Sequence, residues 1–297
     1  MNNCIYTTVL CVLVHCFVVT VQAQHDLLRY IPGTFIVQPF VKYAAAGVFY
    51  DSTGQTVSRQ VSDANGKIFI SSYSKVLLSL TGSYAVDSSL FVMAEVPFSY
   101  SGLQEDYIVN GELIGEKSNL TLTSPEYYKL GAEYLIRNRV KMRSSLLFSV
   151  TSAAKFSGNN ISAEYYPIYP AGAMIWTLGV TSAMKFTTTE LLGSVLFNAR
   201  TAGLSNELNV RAEVRLLSLT DVLLSFSGGL VQTFGSRKNI VFDKRYMPSQ
   251  ETFMTFGGGL NLKISDRLFG TTFYHVRAFG YNTWGLSEFG VSAGFIL

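Results

Sequence analysis

Between Leu208 and Leu216 the chain alternates without a slip. Leu208, Val210, Ala212, Val214 and Leu216 hold one parity, and Asn209, Arg211, Glu213 and Arg215 hold the other. In an extended strand the two sets point to opposite faces. The same period-two pattern recurs along the chain. It predicts strands over 34–49, 67–84, 89–100, 126–136, 140–152, 172–185, 189–200, 206–217, 221–234, 252–264, 267–279 and 284–297. That makes about twelve, and an even number brings both ends of a single-chain barrel to one side.

The connections are sorted by length. "AVDSS", "IRNRV", "TTTE", "LSLTD" and "ISDR" are short polar turns, whereas 50–66, 101–125, 153–171 and 235–251 are long and rich in Gly, Asn, Ser and Tyr. Two connections, 201–205 and 280–283, are intermediate. A transmembrane barrel has short turns at its periplasmic end and longer loops outside. A soluble sandwich has no reason to sort its connections this way. The pattern predicts an all-β fold, a single transmembrane antiparallel up-and-down β-barrel over 34–297, set in the outer membrane of a Gram-negative bacterium. In such a barrel the apolar parity faces lipid and the charged parity faces the lumen.

Running that parity along every strand gives the expected pore lining: Lys42, Lys75, Glu95, Lys129, Glu133, Lys141, Arg143, Lys185, Arg200, Arg211, Glu213, Arg215, Lys263, His275, Arg277 and Glu288. Arg137 and Arg267 share the parity but lie close to turns, at the rim. Basic positions far outnumber acidic ones in this set. A low-dielectric wall focuses such a field and favours anions over cations. The same residues also allow a blander reading, since Arg and Glu inside a narrow barrel pair with one another and fill it.

Composition supports a barrel over a helical membrane protein. Only 14% of residues are charged, against roughly 25% in soluble domains. Mean hydropathy is +0.26, yet past the N-terminus no run of about 18 apolar residues occurs, as a spanning helix requires. The N-terminus, "MNNCIYTTVLCVLVHCFVVTVQAQ", has an apolar stretch from Val9 to Val21 followed by Val21-Gln22-Ala23. This predicts a signal peptide over 1–23 cleaved after Ala23. Residues 24–33 are then a short tail, either periplasmic or tucked into the lumen as a plug. The three cysteines, Cys4, Cys11 and Cys16, fall in the signal segment, so neither thiolate metal sites nor a cysteine nucleophile is expected in the mature chain.

Other chemistry is sparse. His275 in "TFYHVRAF" lies within a strand, and a membrane-embedded hydrolase would need a serine such as Ser287 or Ser292 beside it. No G-x-S-x-G frames one. Scattered carboxylates and one strand histidine make no metal cluster, and "FGGGLNL" reads as close strand packing or a bend rather than a phosphate loop. No cofactor, metal or nucleic acid is expected. Arg237, Lys238, Lys244 and Arg245 concentrate in one outer loop. There they would meet lipopolysaccharide, gather anions at the mouth, or simply be solvated. In the last strand Phe289, Val291, Ala293, Phe295 and Leu297 alternate. That stripe resembles the terminal signal read by the outer-membrane assembly machinery.

The run "YAVDSSLFVMAEVPFSYSG" (84–102), the opening strand "GTFIVQPFVKYAAAGVFYDSTGQ" (33–55) and turns such as "ISDRL" resemble the outer-membrane transporters found with phenol-degradation operons. The resemblance implies a β-barrel passing small solutes, apolar ones included, and carries over no site residues. The expected function is a channel passing small solutes by passive diffusion, with an anion bias. Two alternatives stay open: a non-transporting barrel serving adhesion or a secretion machinery, and a hydrolase using His275. The oligomeric state is open.

Overall fold

The computed structural model describes residues 31–50, 53–57, 59–63, 66–109, 112–123, 127–139, 141–153, 174–201, 206–217, 221–234, 252–281 and 283–297. The signal segment, residues 24–30 of the tail, and the loop bearing Arg237, Lys238, Lys244 and Arg245 lie outside the described residues. The strands are β1 (Phe35–Tyr50), β2 (Thr56–Val57), β3 (Arg59–Asp63), β4 (Gly66–Ala85), β5 (Leu90–Val109), β6 (Glu112–Thr123), β7 (Tyr127–Arg139) and β8 (Met142–Ala153). There follow β9 (Met174–Lys185), β10 (Thr189–Arg200), β11 (Asn206–Leu216), β12 (Val222–Phe234), β13 (Thr252–Lys263), β14 (Leu268–Tyr281) and β15 (Thr283–Ile296).

Each of the twelve strands expected from the alternation is present. From β7 through β15 each strand pairs antiparallel with the next in sequence, and β4 pairs with β5. The ring closes because β1 pairs on one side with β15 and on the other with β4, so that Ile36 stands opposite both Ile296 and Ser83. A closed ring leaves no open edge in the membrane, where an unpaired backbone group costs several kcal/mol. The seam is tied at its end as well: the N–H of Leu297 donates to the carbonyl of Phe35, and that of Gly33 to Ala85. Gly33 adopts φ 84, a left-handed conformation that glycine takes without a Cβ penalty.

The short turns follow from their side chains. In the β4–β5 turn the Asp87 carboxylate accepts the N–H groups of Ser89 and Leu90 at 2.6 and 2.8 Å. In the β13–β14 turn Ser265 Oγ accepts those of Arg267 and Leu268 at 3.3 and 3.1 Å. These local bonds replace ladder bonds and end the strand.

Two segments read as loops are instead partly strand. The stretch 101–125 carries the second half of β5 and the whole of β6, paired from Ser99–Thr123 to Val109–Glu112. The stretch 50–66 holds β2, paired with β1, and β3, paired with β4. These strands hide in the sequence because Glu105 and Asp106, or Glu116 and Lys117, put charge on both parities. A strand clear of the bilayer needs no continuous apolar face. Strand β5 thus serves two partners. It pairs with β7 from Leu90–Tyr134 to Glu95–Lys129, and with β6 from Ser99 onward. Pro97, which has no N–H to give, stands at the changeover.

The two faces of the wall are inverted relative to a soluble protein. Leu78, Leu80, Leu130, Leu178 and Phe226 are each more than half exposed on the outside, while Lys75, Glu133, Glu190, Glu213 and Arg215 are buried within. Water would penalise such an exterior and hydrocarbon accepts it. Replacing Leu178, in the middle of β9, with arginine is expected to cost about 2–4 kcal/mol, read as a lowered urea midpoint for the barrel in lipid vesicles.

Candidate functional site in the lumen

Strand register gathers the inward charges into rows. One row runs Arg143, Ala183, Leu192, Glu213, Ser227, Gly257, His275, Glu288, Ala44, Lys75, each paired with the next across a strand boundary. The neighbouring row runs Lys185, Glu190, Arg215, Ser225, Gly259, Phe273, Gly290, Lys42, Leu77. Directly opposed and diagonal residues on one face lie within reach of each other, so charges far apart in sequence meet along the inner wall.

A continuous ladder results. Arg143 Nη2 donates to Glu190 Oε1 at 2.9 Å, and Arg215 Nη1 donates to Glu190 Oε2 at 3.0 Å. Arg215 Nε reaches Glu213 Oε1 at 2.8 Å, and Glu213 Oε2 lies 3.4 Å from Arg211 Nη2. Arg211 Nη2 also donates to Ser227 Oγ at 3.2 Å, which lies 3.2 Å from His275 Nε2. Further round, Lys42 pairs with Glu288 at 2.9 Å. On β5 and β7 Lys129 stands 3.7 Å from Glu95, and at the far end of β10 and β11 Arg200 pairs with Glu207 at 3.1 Å. Glu95 also accepts from the Tyr127 hydroxyl at 2.9 Å, and Glu133 from Ser145 Oγ at 2.6 Å. Arg215, with no exposed surface, is held by two carboxylates, as a buried charge must be.

Glycines make room for this lining. A Cβ at Gly257 would run into the His275 ring, one at Gly290 into Phe273, and one at Gly294 into Phe269. The "FGGGLNL" run therefore serves close approach: the imidazole lies over bare backbone. Gly257→Val is expected to displace the ring and cost about 1–3 kcal/mol, measured by urea unfolding.

The sequence-predicted lining is found as follows. Lys42, Lys75, Glu95, Lys129, Glu133, Arg143, Arg200, Arg211, Glu213, Arg215, His275, Arg277 and Glu288 share the inward parity of their strands. Arg277 lies over the Phe253 ring at 3.6 Å and donates to Thr283 Oγ1 at 2.6 Å. Lys185 is exposed at the end of β9, and Lys263 bridges to Asp266 in the β13–β14 turn, so both belong to the rim at the short-turn end. Lys141 stands in the β7–β8 turn, exposed, because β8 begins only at Met142. Arg137, past a bulge in β7, and Arg267, in a turn, are likewise exposed.

Two inward acids escaped the sequence reading. Glu190 shares the parity of Arg200, and Glu207 that of Arg211, so the alternation itself contained them. Glu190 closes the "TTTE" turn, and Glu207 is the second residue of β11. Their presence, and the position of Lys141, Lys185 and Lys263 at the short-turn rim, leave the lumen far less basic than expected. The serine that meets His275 is Ser227; Ser287 Oγ lies 3.3 Å from the Tyr274 hydroxyl and Ser292 accepts from Gln38 at 2.8 Å. Among the described residues no group of three His, Cys, Asp or Glu side chains is placed to hold a metal.

Along the wall from β7 to β11 lies a cavity of about 360 Å³, lined on one flank by Lys129 and Glu133 and on the other by Asn209, Arg211 and Glu213. Its floor mixes Leu147, Leu192 and Leu196 with Ser145, Thr181 and Ser194.

An apolar exterior, a closed antiparallel ring and charged inner rows define an outer-membrane β-barrel. Comparison with solved structures agrees at the level of the fold. The chain is similar to an outer-membrane channel of Pseudomonas putida F1, with 11% identity, a TM-score of 0.59, and coverage of 90% of this chain and 96% of that one. Other similar structures are the translocator domain of the autotransporter NalP from Neisseria meningitidis (10% identity, TM-score 0.49, 92% of each chain) and the NanC porin (9% identity, TM-score 0.49, 88% of this chain and 100% of that one). No family model and no curated protein sequence matches the chain.

Proposed function

We propose that this barrel is a channel passing small solutes by passive diffusion, with a mild preference for anions. The observation that carries the reading is an asymmetry of access within a nearly balanced lumen. Glu133, Glu190 and Glu213 are buried in the wall, while the Lys129 and Arg211 side chains keep 34% and 36% of their surface exposed. A solute in the recess between β7 and β11 would therefore meet cations before carboxylates. The likeness to a bacterial outer-membrane channel supports the transport half of the proposal. The basic loop over 237–245 is assigned to lipopolysaccharide or to solute capture at the mouth, and β15 to recognition by the assembly machinery.

The test is swelling of vesicles that hold the folded barrel, suspended in iso-osmotic small solutes. Swelling rates that fall with solute size support a passive channel. The extension of β4 and β5 with β3 and β6 favours a second reading, a barrel with a surface-binding role. Absence of flux through a folded barrel would select that reading.

A further inference from the structure

We infer that the recess between β7 and β11 is a binding subsite for a small amphipathic monocarboxylate, held along the path of permeation. The inference rests on the channel reading and adds a solute class to it.

Its first support is the floor. Leu147, Leu192 and Leu196 face inward and remain partly accessible. A wall meant only for hydrated ions gains nothing from apolar side chains in its water-filled face, and recognition sites are where such surface is found. Its second support is charge. Glu213 is 5% exposed and bonded to Arg215, and Glu133 is 8% exposed and accepts from Ser145. The accessible charge at either end is therefore cationic. Arg211 makes its ion pair through Nη2 alone, at a long 3.4 Å, and Lys129 makes its pair at 3.7 Å. Each has hydrogen-bonding capacity to offer a carboxylate without breaking a short pair. Its third support is size. A cavity of about 360 Å³ sits near the lower end of ligand pockets, roughly 300–1,000 Å³, which fits a short chain or one ring carrying a single acid group. Leu192 and Leu196 would take the apolar body and Arg211 the carboxylate, with Ser194 between them.

The experiment uses the folded full-length barrel in a planar bilayer carrying chloride current, with hexanoate as probe and hexan-1-ol as its neutral counterpart. Hexanoate is expected to reduce single-channel current saturably, and hexanol to have little effect. Arg211→Gln should raise the half-blocking concentration about tenfold, the value of one charge-assisted hydrogen bond. Leu192→Ser should raise it by a smaller factor, because it removes part of the apolar floor and leaves the cation in place. If hexanoate acts no differently from chloride, or if both variants leave its block unchanged, the subsite is refuted. Titration of hexanoate into barrel-bearing vesicles, against barrel-free ones, separates this from the channel reading. Binding lost in Arg211→Gln with no current upholds the subsite and overturns the channel, and current without binding does the reverse. Should Arg211→Gln fail to fold, Lys129→Gln with Leu192→Ser decides by the same readings.

Discussion

Arg215→Leu is expected to lower the stability of the barrel by about 3–5 kcal/mol, the cost of removing one partner from a buried ion pair. Urea unfolding in vesicles reads the loss, and a shifted heat-modifiable band on a gel gives a rapid check. The size follows from the surroundings. Arg215 has no exposed surface, and its guanidinium bonds Glu213 at 2.8 Å and Glu190 at 3.0 Å. Its loss takes a short ion pair from each of two carboxylates that are themselves buried. Glu190 keeps Arg143 at 2.9 Å, whereas Glu213 loses its 2.8 Å pair and keeps the longer contact to Arg211 at 3.4 Å. Adding Glu213→Gln to Arg215→Leu is accordingly expected to recover a large part of the loss. Equal stability of Arg215→Leu and the native barrel would show that the ladder does not bear on folding.

The second large effect concerns ions. Replacing both Lys129 and Arg211 with glutamate is expected to turn the mild anion preference into cation preference, because these are the accessible cations of the recess while its acids are buried in the wall. Within a low-dielectric wall two charge reversals change the local field far more than the same changes on an open surface. Reversal potential under a salt gradient reads the sign. Reversing Lys185 and Lys263 instead, both exposed at the short-turn rim, should shift it much less, since charges there are screened within about 10 Å at 0.1 M salt.

Much of this architecture was legible in the sequence. A lipid-facing strand must keep its apolar parity for its whole span, because a slip of one residue turns every charge toward hydrocarbon. That constraint wrote Leu208 to Leu216 and its counterparts plainly enough to place twelve strands and the inward face of most charged residues. Where the constraint lapses, so did legibility. The outer half of β5 and all of β6 carry charges on both parities and read as loop. Turns were located by composition, yet the register at their edges depends on one residue, and Lys141 fell on the turn side of Met142.

The candidate site was harder to see. Parity gives a face but not a height, and the row linking Arg143 to Glu213 and His275 exists only once six register alignments are fixed. Glu190 and Glu207, which offset the basic residues, stand second in β10 and β11, where too few residues precede them for alternation to mark a face. The role of Gly257 beneath His275 has no signature in one strand alone, since it depends on which residue β14 lays across β13.

An open lumen conducts ions, and current is its most direct sign. Single-channel current through the refolded barrel would be recorded in a planar bilayer with a salt gradient across it. Steady conductance with a reversal potential modestly favouring anions is the predicted result. Silence from a barrel shown to be folded, or a reversal potential that clearly favours cations, would contradict it.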